Sequence, residues 1–365
     1  MNVSNHLNKG IKDIIYDSIK ISLKSPSTAM FFIRTMIFQK KAAQRRIKCS
    51  DAGINIPPFI IASITRQCNL KCKGCYAREL HGKHGDEMTV AHVEKLFEEA
   101  KELGVSFILI AGGEPLVRKD ILDLAGNFQK ILFPIFTNGM LIDDKMIKKF
   151  SKQKNLIPIL SLEGFKNDTD DRRGTGVYER VKKIFIQMQK SHVFFGTSVT
   201  VTSDNYDMVT GDDFVEELIK TGCKLFLFVE YVPVKEISEG LCLNDEQRRG
   251  IIDKMEKLRN KYPALFIAFP GDEEALGGCL AAGRGFVHIS PDGGVEPCPF
   301  APYSDVSIKD TTLKQALKSK LLNSIRENHS MLVEGKGGCT LWENREWVQK
   351  LLCGQEQSDQ CTLEK

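Results

Sequence analysis

The sequence contains no long apolar run, which limits the classes of protein to which it can belong. Its longest apolar stretch, Ala29 to Phe38, is interrupted by Arg34 and Thr35, whereas a membrane-spanning helix needs about 20 apolar residues. A cleavable secretory signal pattern is also missing. We therefore expect a globular protein that works in the cytoplasm.

Several catalytic arrangements are missing as well. The sequence has no evident Ser-His-Asp arrangement, phosphate-binding loop or paired-histidine zinc motif, and its seven histidines are scattered. Lysine and arginine are not interleaved with aromatic residues along a strand, so nucleic acid is not expected as a partner. These absences argue against a hydrolase, a nucleotidase or a nucleic-acid-binding protein.

What the sequence does contain is cysteine. Its 365 residues, 42% of them hydrophobic, suffice for roughly two domains. Eleven cysteines is a high and odd number, and three of them fall between residues 68 and 75. Because cytoplasmic thiols stay reduced, metal or cluster binding explains this crowding better than a disulfide framework does.

Residues 1–55 read as a basic helical extension. Residues 1–50 hold ten Lys or Arg against two Asp or Glu, and Ser25-Pro26-Ser27 separates two helical patterns, with Ser25 as the N-cap of the second. That second helix carries Phe31, Phe32, Met36, Ile37 and Phe38. Its apolar face either contacts a membrane or packs on the rest of the protein and closes the bottom of a barrel.

Residues 56–265 alternate strand and helix patterns, which predicts an α/β fold. The clearest helix runs from Thr89 to Leu103 and ends at Gly104. Six parallel strands would form a partial (β/α)6 TIM-type barrel with its functional groups on the loops after the strands. The predicted strands are Phe59–Thr65, Ser106–Ala111, Ile131–Thr137, Ile157–Leu162, Val193–Val201 and Leu225–Val232.

Residues 266–365 are expected to form a smaller second module. Pro291-Asp292-Gly293-Gly294 lies between two short apolar runs and predicts a hairpin. Cys279 precedes this hairpin, and Cys298 follows it. The tail from Gly354 onward reads as polar and loose.

The central motif is Cys68-Asn69-Leu70-Lys71-Cys72-Lys73-Gly74-Cys75, directly after the first predicted strand. Three thiolates on one loop can hold three irons of a four-iron four-sulfur (4Fe-4S) cluster, and the missing fourth cysteine leaves one iron open to another ligand. A structural zinc site or unrelated buried thiols are the alternatives from the residues alone.

With this motif the chain resembles the radical S-adenosylmethionine (radical SAM) superfamily. The resemblance implies a 4Fe-4S cluster that binds S-adenosylmethionine (SAM) and splits it reductively to a 5′-deoxyadenosyl radical, which then abstracts hydrogen from a substrate. It also implies a flavodoxin- or ferredoxin-type reductant. By this resemblance residues 56–265 are the radical SAM core.

The same resemblance implies a set of SAM-binding residues at the strand ends. Gly112, Gly113, Glu114 and Pro115 correspond to the family's glycine-rich motif, which binds the methionyl amino group. Ser161 and Arg173 correspond to contacts with the cofactor's carboxylate, although Asp170 and Asp171 offer Arg173 an ordinary ion pair. Gly74 stands where many members have an aromatic residue, and Tyr76 is expected to pack on the adenine in its place. The rim residues Thr137, Asn138 and Glu163 complete the set.

The second module resembles the auxiliary-cluster region of the SPASM and twitch subfamilies. This implies one auxiliary 4Fe-4S cluster on Cys279 and Cys298, with Cys339 and Cys353 as further ligands and Cys361 as the competing fourth. Cys49, Cys223 and Cys242 read as ordinary thiols. The substrate stays open between a peptide, a small metabolite and a lipid, and a non-catalytic iron-sulfur or zinc scaffold is the rival function.

Overall fold

A nine-stranded sheet lies at the centre of the protein. The structure is a computed structural model that describes residues 3–80, 85–234, 240–271, 276–332 and 339–353. The strand order is β7-β6-β5-β4-β3-β2-β1-β8-β9. The strands are β1 (Phe59–Ser63), β2 (Phe107–Ala111), β3 (Phe133–Thr137), β4 (Leu156–Leu162), β5 (Gly196–Val201), β6 (Leu225–Glu230), β7 (Leu265–Phe269), β8 (Phe286–Ile289) and β9 (Val295–Glu296).

Helices precede, connect and follow these strands. The first two form an N-terminal pair, and most of the others lie between strands. They are α1 (Val3–Ile21), α2 (Pro26–Asp51), α3 (Tyr76–Leu80), α4 (Val90–Leu103), α5 (Lys119–Asn127), α6 (Asp144–Lys152), α7 (Lys166–Arg173), α8 (Val177–Lys190), α9 (Tyr206–Val209), α10 (Asp212–Lys220), α11 (Asp245–Lys261), α12 (Leu313–Ala316), α13 (Lys320–Glu327), α14 (Thr340–Glu343) and α15 (Arg345–Cys353). None of the helices in the described ranges is long and apolar enough to cross a bilayer.

Strands β1 to β7 are parallel and adjacent in chain order, which is the arrangement of a partial TIM-type barrel. The predicted α/β partial barrel is therefore confirmed, and its six predicted strands correspond to β1–β6. The pattern did not single out β7, and the predicted domain boundary between residues 265 and 266 falls inside it. Helix α4 begins after the N-cap Thr89 and ends at the left-handed Gly104, as predicted.

The two faces of the curved sheet bury different partners. On β1, Ile60 and Ala62 face the main core under the surrounding helices, whereas Phe59, at the strand's start, faces a second apolar cluster. This second cluster lies on the inner face of the sheet and joins residues at the beginnings of the strands, such as Phe107 and Leu225, to the N-terminal pair. We call this end of the barrel its lower end, and the end where the strands finish its upper rim.

Helices α1 and α2 fill the lower end of the barrel. Ile11 and Ile15 of α1 and Phe32 of α2 are buried against the inner face, and the ring of Phe32 meets that of Phe194 edge-on at 4.9 Å. Of the two alternatives for residues 1–50, packing on the barrel therefore accounts for this face of α2. Ser25 is at the N-cap of α2, but its side chain makes no capping hydrogen bond to the backbone.

Two strands of the predicted second module extend the barrel sheet beyond its first strand. Strand β8 pairs in parallel with β1 and antiparallel with β9, which confirms the predicted hairpin. Three buried side chains connect these strands on the inner face. Ser63 Oγ lies 2.8 Å from His288 Nε2, and His288 Nδ1 lies 2.6 Å from Glu296 Oε2. Local sequence pattern did not predict these contacts, because Ser63 and His288 are 225 residues apart.

Candidate functional site

Three cysteines lie on one loop at the upper rim. The loop leaves the end of β1 and carries Cys68, Cys72 and Cys75 before α3 begins. Cys68 is exposed, and the other two are half-buried. Partial burial raises the pKa of Cys68, and the neighbouring thiolates of Cys72 and Cys75 raise it further. A thiolate at Cys68 is therefore disfavoured by the negative charges around it, and a bound metal cluster would stabilise the thiolate forms.

We call the loop that carries Cys68, Cys72 and Cys75 the cluster loop. Helix α7 holds it from the opposite side of the rim. The backbone N–H of Lys73 donates to the Arg172 carbonyl oxygen at 2.9 Å, and the Arg172 Nε donates back to the Lys73 carbonyl oxygen at 3.1 Å. The same guanidinium reaches the carbonyl oxygen of Gly74 at 3.5 Å. The loop is therefore fixed by its backbone between its second and third cysteines. Sequence reasoning did not single out Arg172.

The carboxylate of Glu163 binds two consecutive arginines. Glu163 is buried at the end of β4, and Arg172 Nη1 and Arg173 Nη2 both pair with it at 2.5 Å. Arg173 Nε also donates to it at 2.9 Å. The other terminal nitrogen of Arg173, Nη1, makes no hydrogen bond to the described residues.

The charge of Arg173 acts directly on the cluster loop. Burial raises the pKa of the Cys72 thiol, and Arg173 followed by Arg172 opposes that rise. The sequence suggested Asp170 and Asp171 as ion-pair partners of Arg173, but neither pairs with it. Asp170 accepts from the backbone N–H groups of Gly176 and Tyr178, each at 2.9 Å, and Asp171 pairs with Lys73.

The Gly112-Gly113-Glu114-Pro115 segment packs against the beginning of the cluster loop. A Cβ atom at Gly112 would collide with the backbone of Thr65, and one at Gly113 with the backbone of Gln67. Two hydrogen bonds fix the approach, from Gly113 N–H to the Thr65 carbonyl oxygen at 2.7 Å and from Glu114 N–H to that of Gln67 at 2.8 Å. Only glycine allows two backbones to come this close. Pro115 begins the short turn Pro115–Val117 that follows.

The Glu114 carboxylate is buried and accepts three hydrogen bonds. Thr137 Oγ1 donates to it at 2.7 Å, the backbone N–H of Asn138 at 2.8 Å and that of Leu116 at 3.0 Å. Burial nevertheless raises its pKa, and these donors oppose the rise. Asn138 also extends toward the cluster loop, where its Nδ2 donates to Asn69 Oδ1 at 2.8 Å and lies 3.9 Å from Cys68 Sγ.

The upper part of the inner face is lined with small and hydroxyl side chains. Strand alternation turns Ser63, Ala111, Ser161 and Ser198 to the same side as the apolar lower cluster. Ser161 Oγ and Ser198 Oγ are 3.2 Å apart. The barrel is therefore apolar and filled at its lower end and polar beneath its rim.

A second group of thiols forms in the second module. Burial strongly raises the pKa of Cys298, and a hydrogen bond with Cys339 and the charge of Cys279 raise it further. The backbone N–H of Phe300 donates to Cys298 Sγ at 3.2 Å. Three of the predicted auxiliary ligands are thus brought together, although Cys339 is 60 residues from Cys279 in the sequence.

Cys353 and Cys361 are the remaining candidate ligands of the auxiliary cluster. Cys353 is the last residue of α15, and Cys361 and the tail from Gly354 lie outside the described residues. Within the described ranges, no group of three His, Cys, Asp or Glu side chains is gathered closely enough for a single metal ion. A 4Fe-4S cluster separates its cysteine ligands more widely, because each binds a different iron.

Tyr76 lies between the two thiol groups. Its ring packs on Phe300 with centroids 5.0 Å apart. Burial raises the pKa of the Tyr76 hydroxyl, and the charges of Cys75 and Cys298 add to the rise. The residue expected to pack on adenine therefore contacts the second module, and its role toward a nucleotide stays a prediction.

Both thiol groups fit an iron-sulfur cluster by their donor chemistry. Each contains a cysteine, Cys68 in the first and Cys298 in the second, whose pKa is raised by burial and by neighbouring thiols, and an all-sulfur environment of this kind is the one such clusters use. The first group lies at the strand ends of a partial barrel beside the half-buried guanidinium of Arg173, which has one unused nitrogen. Fold and site together define a barrel enzyme whose cluster loop follows its first strand.

Comparison with known proteins agrees with this class. Residues 62–226 match the family model described as the Radical SAM superfamily, a range that includes the cluster loop and β2 to β5. Over these 165 of its 365 residues the chain matches the radical SAM superfamily, and its relatives include enzymes.

Individual relatives are distant. The chain is 29% identical over 215 residues to the Fe-coproporphyrin III synthase of Methanosarcina barkeri, which covers 57% of this chain and 54% of that protein. It therefore spans about half the length of that relative. It is 24% identical over 308 residues to a GTP 3′,8-cyclase of Clostridium perfringens, which covers 76% of this chain and 93% of the relative. The crystal structure of Streptococcus suis SuiB bound to S-adenosylmethionine has the same fold, with a TM-score of 0.63 at 17% identity over 83% of this chain and 76% of that one.

Proposed function

We propose that the protein cleaves SAM reductively and uses the resulting 5′-deoxyadenosyl radical to abstract hydrogen from a substrate inside the barrel. The observation that carries this proposal is the loop of Cys68, Cys72 and Cys75 beside the half-buried guanidinium of Arg173. When bound there, a 4Fe-4S cluster supplies an open iron and the electron that breaks the carbon–sulfur bond.

The protein's own residues hold SAM and shield the radical. We assign the methionyl carboxylate to the unused Nη1 of Arg173, because a guanidinium binds a carboxylate well and Glu163 already fixes the other edge of this one. We assign the amino group to the Gly112–Pro115 segment. Ser161 would contact the same methionyl carboxylate, and the inner face beneath the rim around Ser198 would hold the substrate and exclude water.

We propose one auxiliary 4Fe-4S cluster in the second module. Cys279, Cys298 and Cys339 would supply three ligands, and Cys353 or Cys361 the fourth. The mutual effect of the first three on the pKa of Cys298 supports this set. The auxiliary cluster would bind the substrate or accept an electron from it.

The substrate belongs to one of three classes: a peptide side chain, a small metabolite or a lipid. The names of the relatives point to different classes, since one makes Fe-coproporphyrin III, another cyclises GTP, and SuiB has also been solved with a precursor peptide. An isotope-traced comparison of cell extracts with and without the enzyme would identify the class. A flavodoxin- or ferredoxin-type reductant would reach the cluster at the exposed Cys68.

The proposal predicts the iron content and the products of anaerobically reconstituted protein. We expect about eight irons per chain and, with dithionite, conversion of SAM to 5′-deoxyadenosine. Cys72→Ala should abolish cleavage and retain about four irons. Cys279→Ala should keep uncoupled cleavage and stop product formation. Cys49→Ala, which changes a half-buried thiol far from both groups in the sequence, is the matched control and should keep both clusters.

Two results would reject the proposal. One is a colourless, zinc-containing protein that forms no 5′-deoxyadenosine, which is the behaviour of a scaffold. The other is a first cluster that shows four protein ligands by spectroscopy. Loss of both cleavage and folding in Cys279→Ala would instead assign the second thiol group a purely structural role.

We also propose that residues 1–50 make a peripheral membrane contact. The main apolar face of α2 is buried, so the contact would use a different face, where Met30, Ile33 and Ile37 are exposed. Flotation of the whole chain with phospholipid vesicles tests this, and failure to float with any vesicle would reject it. Deleting residues 1–50 is unsuitable as a test, because these helices fill the barrel.

A further inference from the structure

Helix α2 has an exposed apolar row that nothing in the described structure covers. Met30, Ile33 and Ile37 are 51%, 43% and 56% exposed. Their spacing of three and four residues places them on one face of the helix. We call these three residues the apolar row. Toward the end of α2 the same face becomes basic. Lys41 lies one turn beyond Ile37, and Lys48 lies two turns beyond Lys41.

A basic cavity opens beside this second half of α2. The cavity has a volume of about 70 Å³. It is lined by four cationic and four apolar residues, namely Lys41, Arg45, Lys101 and Lys130 with Phe38, Ala42, Val105 and Ile131. None of the four cationic groups pairs with a carboxylate in the described part of the chain. We call this cavity with its lining residues the basic cavity.

The neighbouring contacts hold the basic cavity open. Arg45 Nη1 donates to the Lys101 carbonyl oxygen at 2.8 Å, which joins α2 to the end of α4. The ammonium group of Lys101 lies 5.3 Å from the centre of the Phe128 ring. Gln39 Nε2 donates to the Lys130 carbonyl oxygen at 3.2 Å, which joins α2 to the segment before β3. The cationic residues thus come from three fixed segments of the chain.

Both features lie at the lower end of the barrel. Lys101 and Val105 precede β2, and Lys130 and Ile131 precede β3, whereas the cluster loop follows the end of β1. A surface bound here would leave the upper rim open to SAM, substrate and reductant.

We propose that this face of α2 docks on an anionic phospholipid bilayer, with the apolar row in the acyl boundary and a headgroup phosphate in the basic cavity. This inference rests on the proposed membrane contact and specifies its lipid class and contact residues. Unpaired cations attract anionic headgroups, and an apolar row beside them enters the interface. Phosphate suits the cavity because it accepts hydrogen bonds from several ammonium and guanidinium groups at once.

The test compares flotation of the full chain with two kinds of vesicle, phosphatidylcholine alone and phosphatidylcholine with phosphatidylglycerol. We expect strong binding only to the second kind, and weaker binding as salt is added. Lys41→Gln combined with Lys130→Gln should weaken that binding about 30-fold. Lys314→Gln combined with Lys318→Gln removes the same charge from the second module and is the matched control. Ile33→Ser with Ile37→Ser should reduce binding without unfolding the chain, since both residues are exposed.

Each outcome decides a different claim. Equal flotation with both vesicles would overturn the inference and leave the membrane contact standing. No flotation with either would overturn both. An equal loss in the control pair would show that net charge rather than the basic cavity drives binding, and would also overturn the inference. Selective loss in the Lys41 and Lys130 variant supports it.

Discussion

Adjacent residues can have different parts in one site, as Arg172 and Arg173 do. Both bind Glu163, but Arg172 also donates hydrogen bonds to the carbonyl oxygens of Lys73 and Gly74. Arg173 makes no bond to the loop backbone and keeps one terminal nitrogen unused. We therefore expect Arg172 to position the cluster loop and Arg173 to bind the cofactor.

Replacing these arginines should separate the two parts. Arg173→Ala is expected to leave the iron content of reconstituted protein unchanged and to weaken SAM binding roughly 10- to 100-fold, because one charge-assisted hydrogen bond is lost. Arg172→Ala is expected to lower the iron content itself. Iron analysis and calorimetric titration with SAM measure the two effects.

Asp171→Asn is the control for both arginine variants. Asp171 lies in the same helix and, among the described residues, pairs with Lys73 alone; both side chains are largely exposed, so the pair adds little. Unchanged SAM affinity in Arg173→Ala would contradict the assignment of the carboxylate to Arg173.

At the scale of the elements, β1 joins the two modules. Its end leads into the cluster loop, and its inner face carries Ser63. The Ser63 hydroxyl contacts the His288 ring, which in turn contacts the Glu296 carboxylate, and all three are buried. Burial lowers the pKa of His288 to about 3, with the charge of Asp292 acting in the opposite direction. A neutral imidazole here donates one hydrogen bond and accepts the other.

This burial predicts how stability depends on pH. An unfolded histidine binds a proton below about pH 6.5, and folded His288 does not until about pH 3, so acid favours unfolding in that range. The stabilisation is full above about pH 6.5 and is lost as the pH falls toward 3. When the pH falls from about 7.5 to about 5.5, the free energy of unfolding should decrease in both proteins. The decrease should be about 1.4 kcal/mol smaller in His288→Gln than in the natural protein.

Urea denaturation at the two pH values measures this difference. Ser63→Ala is the control, because it keeps the histidine and should keep the natural pH dependence while losing one buried hydrogen bond. The same pH dependence in His288→Gln and the natural protein would contradict a neutral buried imidazole.

The elements also show which parts of the fold could be predicted from the sequence alone. Periodicity and capping residues located β1 to β6, helix α4 and the hairpin of β8 and β9, because these signals are local. The pairing of β8 with β1 and the Glu163 contacts with Arg172 and Arg173 depend on residues that meet only in the folded chain. Spacing found the first three cysteines, whereas resemblance alone supplied Cys339 as a partner for Cys298.

The whole molecule is a barrel closed from below by its own N-terminus. The inner face is apolar where α1 and α2 cover it and polar above them. The helix pair therefore covers the lower inner face as well as completing the core.

Two neighbouring residues of α2 test this closure. Phe32 is 2% exposed and contacts Phe194, whereas Ile33 is exposed. Phe32→Ala should lower the free energy of unfolding by about 3–5 kcal/mol, and Ile33→Ala should change it by less than about 0.5 kcal/mol. Chemical denaturation of the two variants measures the contrast, and equal effects would mean that α2 does not seal the barrel.

The parallel pairing of β8 with β1 has a consequence for biosynthesis. Ser63 and His288 are 225 residues apart, and a ribosome adds about 5–20 residues per second, so one edge of β1 waits roughly 10–45 s for its neighbour. An open strand edge invites wrong partners during that time. The strand that leads into the cysteine loop is thus synthesised well before the strand that covers its second edge.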